Sequence, residues 1–280
     1  MSERILIAGC GDVGNALGTR LRADGCEVWG VRRNLSALAE GIHPWPVDLT
    51  DPRSLRSPPT EFDYVFYTAS ADRRDESSYR AVYVDGLRDL LQALEAARSP
   101  LKRVFFTSST AVYGQQSGEW IDERSATEPP RFNGHILLEA EAIVKALGSG
   151  VAVRLSGIYG PGRTRLVEKV WNEEAEATPS WTNRIHVEDC GALLHHLMRL
   201  DAPADVYLGS DDEPATTAEV VTWMSKQLGV AAPLAADAPS SNKRCRNTLL
   251  RDTGYQFLYP SFREGYAGII EEFLRNPPSR

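Results

Sequence analysis

The sequence predicts an α/β fold, a doubly wound parallel sheet joined to a smaller C-terminal lobe. Three observations predict it. Near-continuous apolar runs alternate with helical patterns through the first half of the chain, as expected for parallel strands covered on both faces. The first run, Arg4-Ile5-Leu6-Ile7-Ala8, stops at Gly9-Cys10-Gly11-Asp12-Val13-Gly14 before a helical pattern, which is the strand, glycine turn and helix of a dinucleotide-binding crossover. After Leu155 the alternation gives way to short mixed segments.

Strands are expected at 4–8, 27–31, 43–47, 64–68, 103–108 and 151–155, each a β-branched or aromatic run bounded by Gly, Pro or Asp. Helical patterns lie at 13–23, 35–40, 52–56, 77–97 and 134–147. Residues 157–162 read as a loop. Helices are then expected at 166–171, 188–200 and 217–228, with a strand at 205–208 rejoining the sheet. This divides the chain into a dinucleotide-binding domain, 1–156, and a lobe formed mainly by 157–280.

Composition bounds the function. With 280 residues, 42% hydrophobic and 25% charged, the chain is long enough for a large core. A net charge of −7 argues against an electrostatic nucleic-acid binder, and no apolar run approaches the ~20 residues of a membrane span. The chain enters a strand at once, unlike a secretory leader. Cys10, Cys26, Cys190 and Cys245 show no metal or C-x-x-C spacing and fit reduced thiols in a cytoplasmic protein. Only 235–242 and 276–280 have a disorder-like composition.

In the glycine turn, Gly9 permits the tight turn, Gly11 lets a pyrophosphate approach the backbone, and Gly14 lets the helix pack close. The helix start at Asp12 and Val13 offers N–H groups to phosphates. The competing reading is a turn that serves packing alone. The second strand ends Val31-Arg32-Arg33-Asn34, without the acid that usually accepts from an adenosine ribose. Two guanidinium groups there suit a 2′-phosphate, which favours NADP over NAD; otherwise they are solvated. Asp48 is a candidate acceptor for the adenine amino group or the N-cap of the short helix expected after it. Ser70, after the fourth strand, completes the cofactor set.

Three further segments follow in order: Thr107-Ser108-Ser109-Thr110-Ala111-Val112-Tyr113-Gly114, Arg154-Leu155-Ser156-Gly157-Ile158-Tyr159-Gly160-Pro161-Gly162-Arg163, and Asn183-Arg184-Ile185-His186-Val187-Glu188-Asp189. Together they strongly resemble the extended short-chain dehydrogenases/reductases, the NAD-dependent epimerase/dehydratase family. The resemblance implies a Rossmann domain with a small substrate lobe, a nicotinamide cofactor, and a small-molecule substrate such as a carbonyl, alcohol or nucleotide sugar. It also implies a possible homodimer through 77–97 and 134–147, with no metal. Ser109 matches the serine that hydrogen-bonds the substrate oxygen. Tyr159 is implied near the nicotinamide or substrate, or as part of a rigid connecting turn. Arg184 and His186 are implied near the substrate, or in a hydrogen-bond network.

The departures are specific. The family's Tyr-x-x-x-Lys pair falls on Asn133 and Leu137, and its helical Asn on Tyr83. The glycine loop is one residue shorter than the family's. The runs Asn133-Gly134-His135-Ile136-Leu137-Leu138-Glu139 and Tyr259-Pro260-Ser261-Phe262-Arg263-Glu264-Gly265-Tyr266 resemble an atypical bacterial branch, the YeeZ-like proteins. Two residues are candidate replacements for the tyrosine. Tyr113 has a phenol near Ser109, but an unassisted phenol is a poor base. His135 titrates in the right range, but lies about 200° around the helix from Asn133 unless the helix starts near Gly134. Glu139 and Glu141 are expected on exposed faces. Arg73-Arg74-Asp75-Glu76 reads as a solvated charge run in preference to a cofactor-phosphate contact, and Trp171 and Trp181 as core in preference to an apolar wall.

Two functions follow. One is an NADP(H)-dependent oxidoreductase or epimerase-like enzyme in which Ser109 polarises the substrate. The other is a redox-silent NADP(H)-binding regulator or scaffold. A lyase or isomerase with tightly held cofactor is a third.

Overall fold

The computed structural model describes residues 2–237, 239, 241–275 and 277. In chain order, the first elements are β1 (Arg4–Ala8), α1 (Asp12–Ala23), β2 (Glu27–Val31), β3 (His43–Trp45), β4 (Tyr64–Tyr67), α2 (Glu76–Arg80), α3 (Leu87–Ala96), β5 (Arg103–Ser109), β6 (Ser117–Ile121), α4 (Phe132–Ala146) and β7 (Gly150–Leu155). Then come β8 (Gly157–Tyr159), α5 (Arg165–Trp171), β9 (Trp181–Thr182), β10 (Arg184–His186), α6 (Val187–Met198), β11 (Val206–Gly209), β12 (Ala215–Thr216), α7 (Thr217–Leu228), β13 (Asn242–Cys245), α8 (Thr248–Asp252) and α9 (Phe262–Arg275).

The chain forms two compact units, and the division is not one cut. The first unit holds 1–114, 126–155 and 190–207; the second holds 115–125, 156–189 and 208–280. A seven-stranded sheet runs in the order β11-β7-β5-β4-β1-β2-β3, and the pairs linking its six strands from β7 to β3 are parallel. The order reverses at β1, whose neighbours are β2 and β4, so the C-terminal ends of β1 and β4 flank a topological switch point. The strands are apolar because both faces are covered: Ile5, Leu6, Ile7, Val65, Phe66, Phe105 and Val153 are fully buried.

Several segments differ from expectation. Residues 52–56 form turns, in which Asp51 caps the Arg53 N–H and the Ser54 hydroxyl donates to the Asp48 carbonyl. The 35–40 helix is one 3₁₀ turn, Leu35–Ala37. β3 ends at Trp45, where Pro46 supplies no N–H. The helix over 77–97 is interrupted by a π-helical stretch, Ala81–Gly86. Its cause is local: the buried Tyr67 hydroxyl donates to the Val82 carbonyl at 2.5 Å, drawing that carbonyl from the α-helical ladder.

In the second unit, β8 pairs with β10, β9 with β12, and β6 with β13. The loop expected at 157–162 therefore begins as a strand. The 235–242 stretch is partly paired as well: Ala235 bridges Ala177, and Asn242 opens β13. Residues 238 and 240 lie outside the described residues, as does the 276–280 tail apart from Pro277. α9 was not expected. It opens on a Ser-x-x-Glu start, where the Glu264 carboxylate accepts from the Ser261 N–H and hydroxyl and the Ser261 oxygen accepts the Arg263 N–H. Tyr159, Val167, Val170, Val221, Met224 and Phe262 are among this unit's core. Among the described residues, no helix is long and apolar enough to cross a membrane, and no acid, His and Cys grouping could hold a metal.

Candidate functional site

The glycine turn is built by backbone constraints. Gly9 has φ +90°, and a Cβ there would lie 2.2 Å from the Ala69 Cα, so β1 and β4 meet closer than any side chain allows. The N–H groups of Gly9 and Cys10 both donate to the Val31 carbonyl, at 3.2 and 2.9 Å. At Gly11 a Cβ would meet nothing closer than 4.0 Å, so the backbone is open there. Gly11 is also the N-cap of α1, and no side chain caps that helix. The α1 start, Asp12 and Val13, thus presents a helix N-terminus beside open backbone, which suits a diphosphate. A Cβ at Gly14 would approach Ile7 Cγ2 to 2.9 Å and the Gly9 carbonyl to 3.2 Å, which holds α1 against β1.

At the end of β2, Arg32 donates to the carbonyls of Cys10 and Ala37 at 3.2 and 3.3 Å, so its guanidinium lies against the glycine turn. Arg33 is exposed and pairs with Asp72 at 2.6 Å. Asp48 accepts from the Thr50 N–H and hydroxyl, bonds that hold its carboxyl below the usual range. It caps a turn, and no helix follows. Ser70 is exposed on the loop after β4. Burial pushes the Cys10 thiol up to about 12, so it is no nucleophile.

Alternation along β5 separates two serines. Ser109 is half-buried at the strand end. Its oxygen accepts the Ala111 N–H at 3.2 Å, capping the 3₁₀ turn Thr110–Val112, and its proton meets no acceptor among the described residues. Ser108 faces inward and donates to Glu141 at 2.6 Å. Glu141 also binds Arg154 through Nε at 3.0 Å and Nη2 at 2.7 Å. Arg154 Nη1 donates to the Tyr113 hydroxyl at 2.9 Å, with the guanidinium 5.1 Å from that ring's centre. Burial opposes the charge on Arg154, but Glu141 holds its pKa above the usual value.

This network corrects two expectations. Glu141 is buried, because its charge is paired inside the fold. Tyr113 is 2% exposed and its hydroxyl oxygen accepts from Arg154, so the phenol lies inside the network and is not open at the sheet edge. α4 starts at Phe132, ahead of Gly134, so the geometry that would turn His135 towards the Asn133 face is absent. His135 is exposed on the first turn. Asn133 is half-buried and its amide makes no hydrogen bond among the described residues. Leu137, one turn on, is buried. At Gly134 a Cβ would come within 2.5 Å of the Ala111 carbonyl, so the helix start rests on the turn that Ser109 caps. Tyr83 packs edge-on against Phe106 and beside Tyr79; burial pushes its phenol up to about 12.

The remaining predicted site residues lie together in the second unit. Tyr159 is buried, stacked on Tyr266 with centroids 4.5 Å apart and edge-on to His186. Its hydroxyl donates to the Ser261 carbonyl. It is a core residue and offers no open surface to a cofactor. His186 is buried and its ring lies 3.8 Å from that of Tyr259. Its Nδ1 accepts the Glu188 N–H, which leaves the proton on Nε2, and desolvation lowers its pKa to about 4. Arg184 is buried, donates to the Thr182 hydroxyl at 2.7 Å, and lies over the Phe262 ring.

Sequence reasoning missed Asp211. It is 1% exposed, and among the described residues neither carboxylate oxygen has a hydrogen-bond partner. Desolvation raises its pKa to about 8, against the opposing field of Arg184. Nothing in its local sequence marks it, since Asp211-Asp212-Glu213 looks like a solvated acidic run.

Comparison with known proteins adds the family. The chain is 26% identical over 278 residues to protein YeeZ of Escherichia coli K12, covering 92% of this chain and 97% of that one. It is 37% identical to a candidate NAD-dependent epimerase/dehydratase from Methylobacillus flagellatus, with a TM-score of 0.85 over 99% of this chain and 100% of the other. The human epimerase family protein SDR39U1, solved with NADPH, shares the fold at 20% identity and a TM-score of 0.77, covering 96% of this chain and 99% of that one. The profile of the NAD-dependent epimerase/dehydratase family matches residues 5–208, and the chain belongs to that family.

Proposed function

We propose that this chain binds a nicotinamide dinucleotide, NADP in preference to NAD, and uses it in oxidoreductase or epimerase-like chemistry on a small carbonyl, alcohol or sugar-nucleotide substrate. One observation carries the reading: the turn at Gly9–Gly14, where a Cβ-intolerant crossing leaves Gly11 open beside an α1 terminus without a side-chain cap. The preference for NADP rests on Arg32 and Arg33, and on the absence of an acid at the end of β2. That SDR39U1 was solved with NADPH is in keeping with this choice.

A bound nicotinamide would supply or accept hydride. The chain's own part is to hold and polarise. Ser109 has its hydroxyl proton uncommitted and its oxygen fixed by the Ala111 N–H, so it is set to donate to a substrate oxygen. Asn133 adds an uncommitted amide where the family carries a phenol. Neither group takes up a proton near neutral pH, and Tyr113 is buried, so solvent relays the proton.

A second reading, a redox-silent NADP(H)-binding regulator, is favoured by one specific observation. Leu137 is buried where the family's lysine would hold the ribose. NADPH fluorescence titration, followed by oxidation assays over aldehydes, ketones and sugar nucleotides, separates the two. Turnover that falls at least tenfold in Ser109→Ala supports the first reading, whereas tight binding without turnover on any substrate supports the second. Arg32→Ala with Arg33→Ala should weaken NADPH at least tenfold more than NADH; an equal loss would remove the NADP assignment.

A further inference from the structure

β6 and β13 form a short parallel ladder in the second unit, with Arg244 in register with Trp120 and Cys245 with Ile121. Arg246 extends the ladder by donating its N–H to the Ile121 carbonyl at 2.8 Å. Because side chains alternate along a strand, Cys245 and Ile121 point inward and are buried, while Arg244, Arg246 and Trp120 share the outer face. On that face the planar groups are layered. The Arg244 guanidinium lies over two indoles, 4.7 Å from the Trp120 ring centre and 4.8 Å from the Trp181 ring centre. Arg246 lies over Trp120 at 5.3 Å.

The layer is braced at its backbone. The Trp181 N–H donates to the Ser241 carbonyl at 2.9 Å, and the Asn242 side chain donates to the Trp181 carbonyl at 2.7 Å. Arg244 Nε donates to the Gly118 carbonyl at 2.7 Å, which fixes the rotation of its guanidinium plane. Among the described residues neither Arg244 nor Arg246 has a carboxylate partner. The nearby Glu119 carboxylate instead accepts the Ser117 N–H at 2.7 Å. In a chain of net charge −7, two neighbouring guanidinium groups stand without an acid, and Trp120 beside them remains 45% exposed.

A guanidinium held over aromatic rings can still hydrogen-bond in its own plane, and there its N–H fork matches an oxyanion. We propose that Arg244 and Arg246, layered with Trp120 and Trp181 on the outer face of the β6–β13 ladder, form a binding site for the phosphate group of a small molecule. Arg244 supplies a pre-oriented fork and Arg246 a second charge. The two indoles hold the fork in place and lower its competition from water. The site lies within one unit and does not depend on the cofactor reading above.

The test is calorimetric titration of the full chain, at constant ionic strength, with inorganic phosphate and separately with glycerol 3-phosphate, which distinguishes the free ion from a phosphate ester. Saturable binding by either is expected, weakened at least tenfold in Arg244→Gln and also in the exposed variant Arg246→Gln. Arg244→Lys should lose nearly as much, because it keeps the charge without the fork. The glycine turn is itself a phosphate candidate, so the titration is repeated on Arg32→Ala with Arg33→Ala, where this binding should persist. Thermal melts verify that each variant is folded. Non-saturable titration of the unaltered chain, or affinity within twofold of it in folded Arg244→Gln and Arg246→Gln, would overturn the proposal. So would binding that disappears only in the Arg32/Arg33 variant.

Discussion

Two buried carboxylates, Glu141 of the first unit and Asp211 of the second, have opposite surroundings. Glu141 receives three donors, two from Arg154 and one from Ser108, all within 3.0 Å. Asp211 receives no full hydrogen bond among the described residues; Arg184 acts on it through its field, and the Glu213 backbone favours its charge more weakly. A buried charge is tolerable when paired and hydrogen-bonded; otherwise the group avoids ionising. Glu141 therefore acts as a fixed strut between β5, α4 and β7. Asp211 is a group whose charge depends on pH. The first unit uses its buried acid to lock the strand end that carries Ser109, whereas the second keeps one that solution conditions can alter.

The contrast is open to direct challenge. Glu141→Ala leaves Arg154 buried and uncompensated, and should cost about 3–5 kcal/mol in chemical denaturation. A loss below 1 kcal/mol would mean that the network is not buried in solution. Asp211 should give the next largest effect, read as a pH slope. Its folded pKa is raised to about 8, above an unfolded value near 3.9. Its contribution to stability is therefore full at low pH and is lost as pH rises towards 8. His186 opposes this below about pH 6.5, because its depressed pKa makes stability fall as pH drops towards 4. The clear window is pH 6.5–8, where the unaltered protein should lose roughly 2 kcal/mol, at 1.36 kcal/mol per unit. Asp211→Asn should flatten that slope; an unchanged slope would remove Asp211 as its source. The smallest effect is expected from replacing the whole pair. Glu141→Leu with Arg154→Met should fall within about 1 kcal/mol of the unaltered protein, since a buried ion pair contributes little beyond an apolar pair of similar volume. A double variant as unstable as Glu141→Ala would show that the pair does more than balance itself.

How far the sequence was readable follows the range of the interactions involved. The turn at Gly9–Gly14 was legible because its cause is local: a glycine at positive φ, an apolar strand before it and a helical period after. The sheet strands were legible for the same reason, to within a residue or two at their ends. Glu141 was misread as exposed because its partner Arg154 lies on another element, and the pattern of α4 alone assigns a charged side chain to solvent. Tyr113 and Tyr159 were read as site residues from the motifs around them, yet their orientation is decided by Arg154 and Tyr266, which no local spacing reveals. The β6–β13 ladder joins segments more than a hundred residues apart and left no periodic trace. α9 was a different case, since the Ser-x-x-Glu pattern of Ser261 and Glu264 stood in the sequence as a readable start signal.

The π-helical stretch at Ala81–Gly86 changes how this helix can be compared with any other. Widening one turn to i→i+5 spacing accommodates an extra residue, and each residue of an α-helix turns the face by about 100°. A position counted forward from α2 as if the helix were regular therefore arrives in α3 on the wrong side. Tyr83 lies inside the widened turn, so its side-chain direction does not follow from counting along a regular helix from α2. The hydroxyl of Tyr67, on a neighbouring strand, is bound at the place where this frame shifts, so the face that α3 presents is set together with the sheet beneath it.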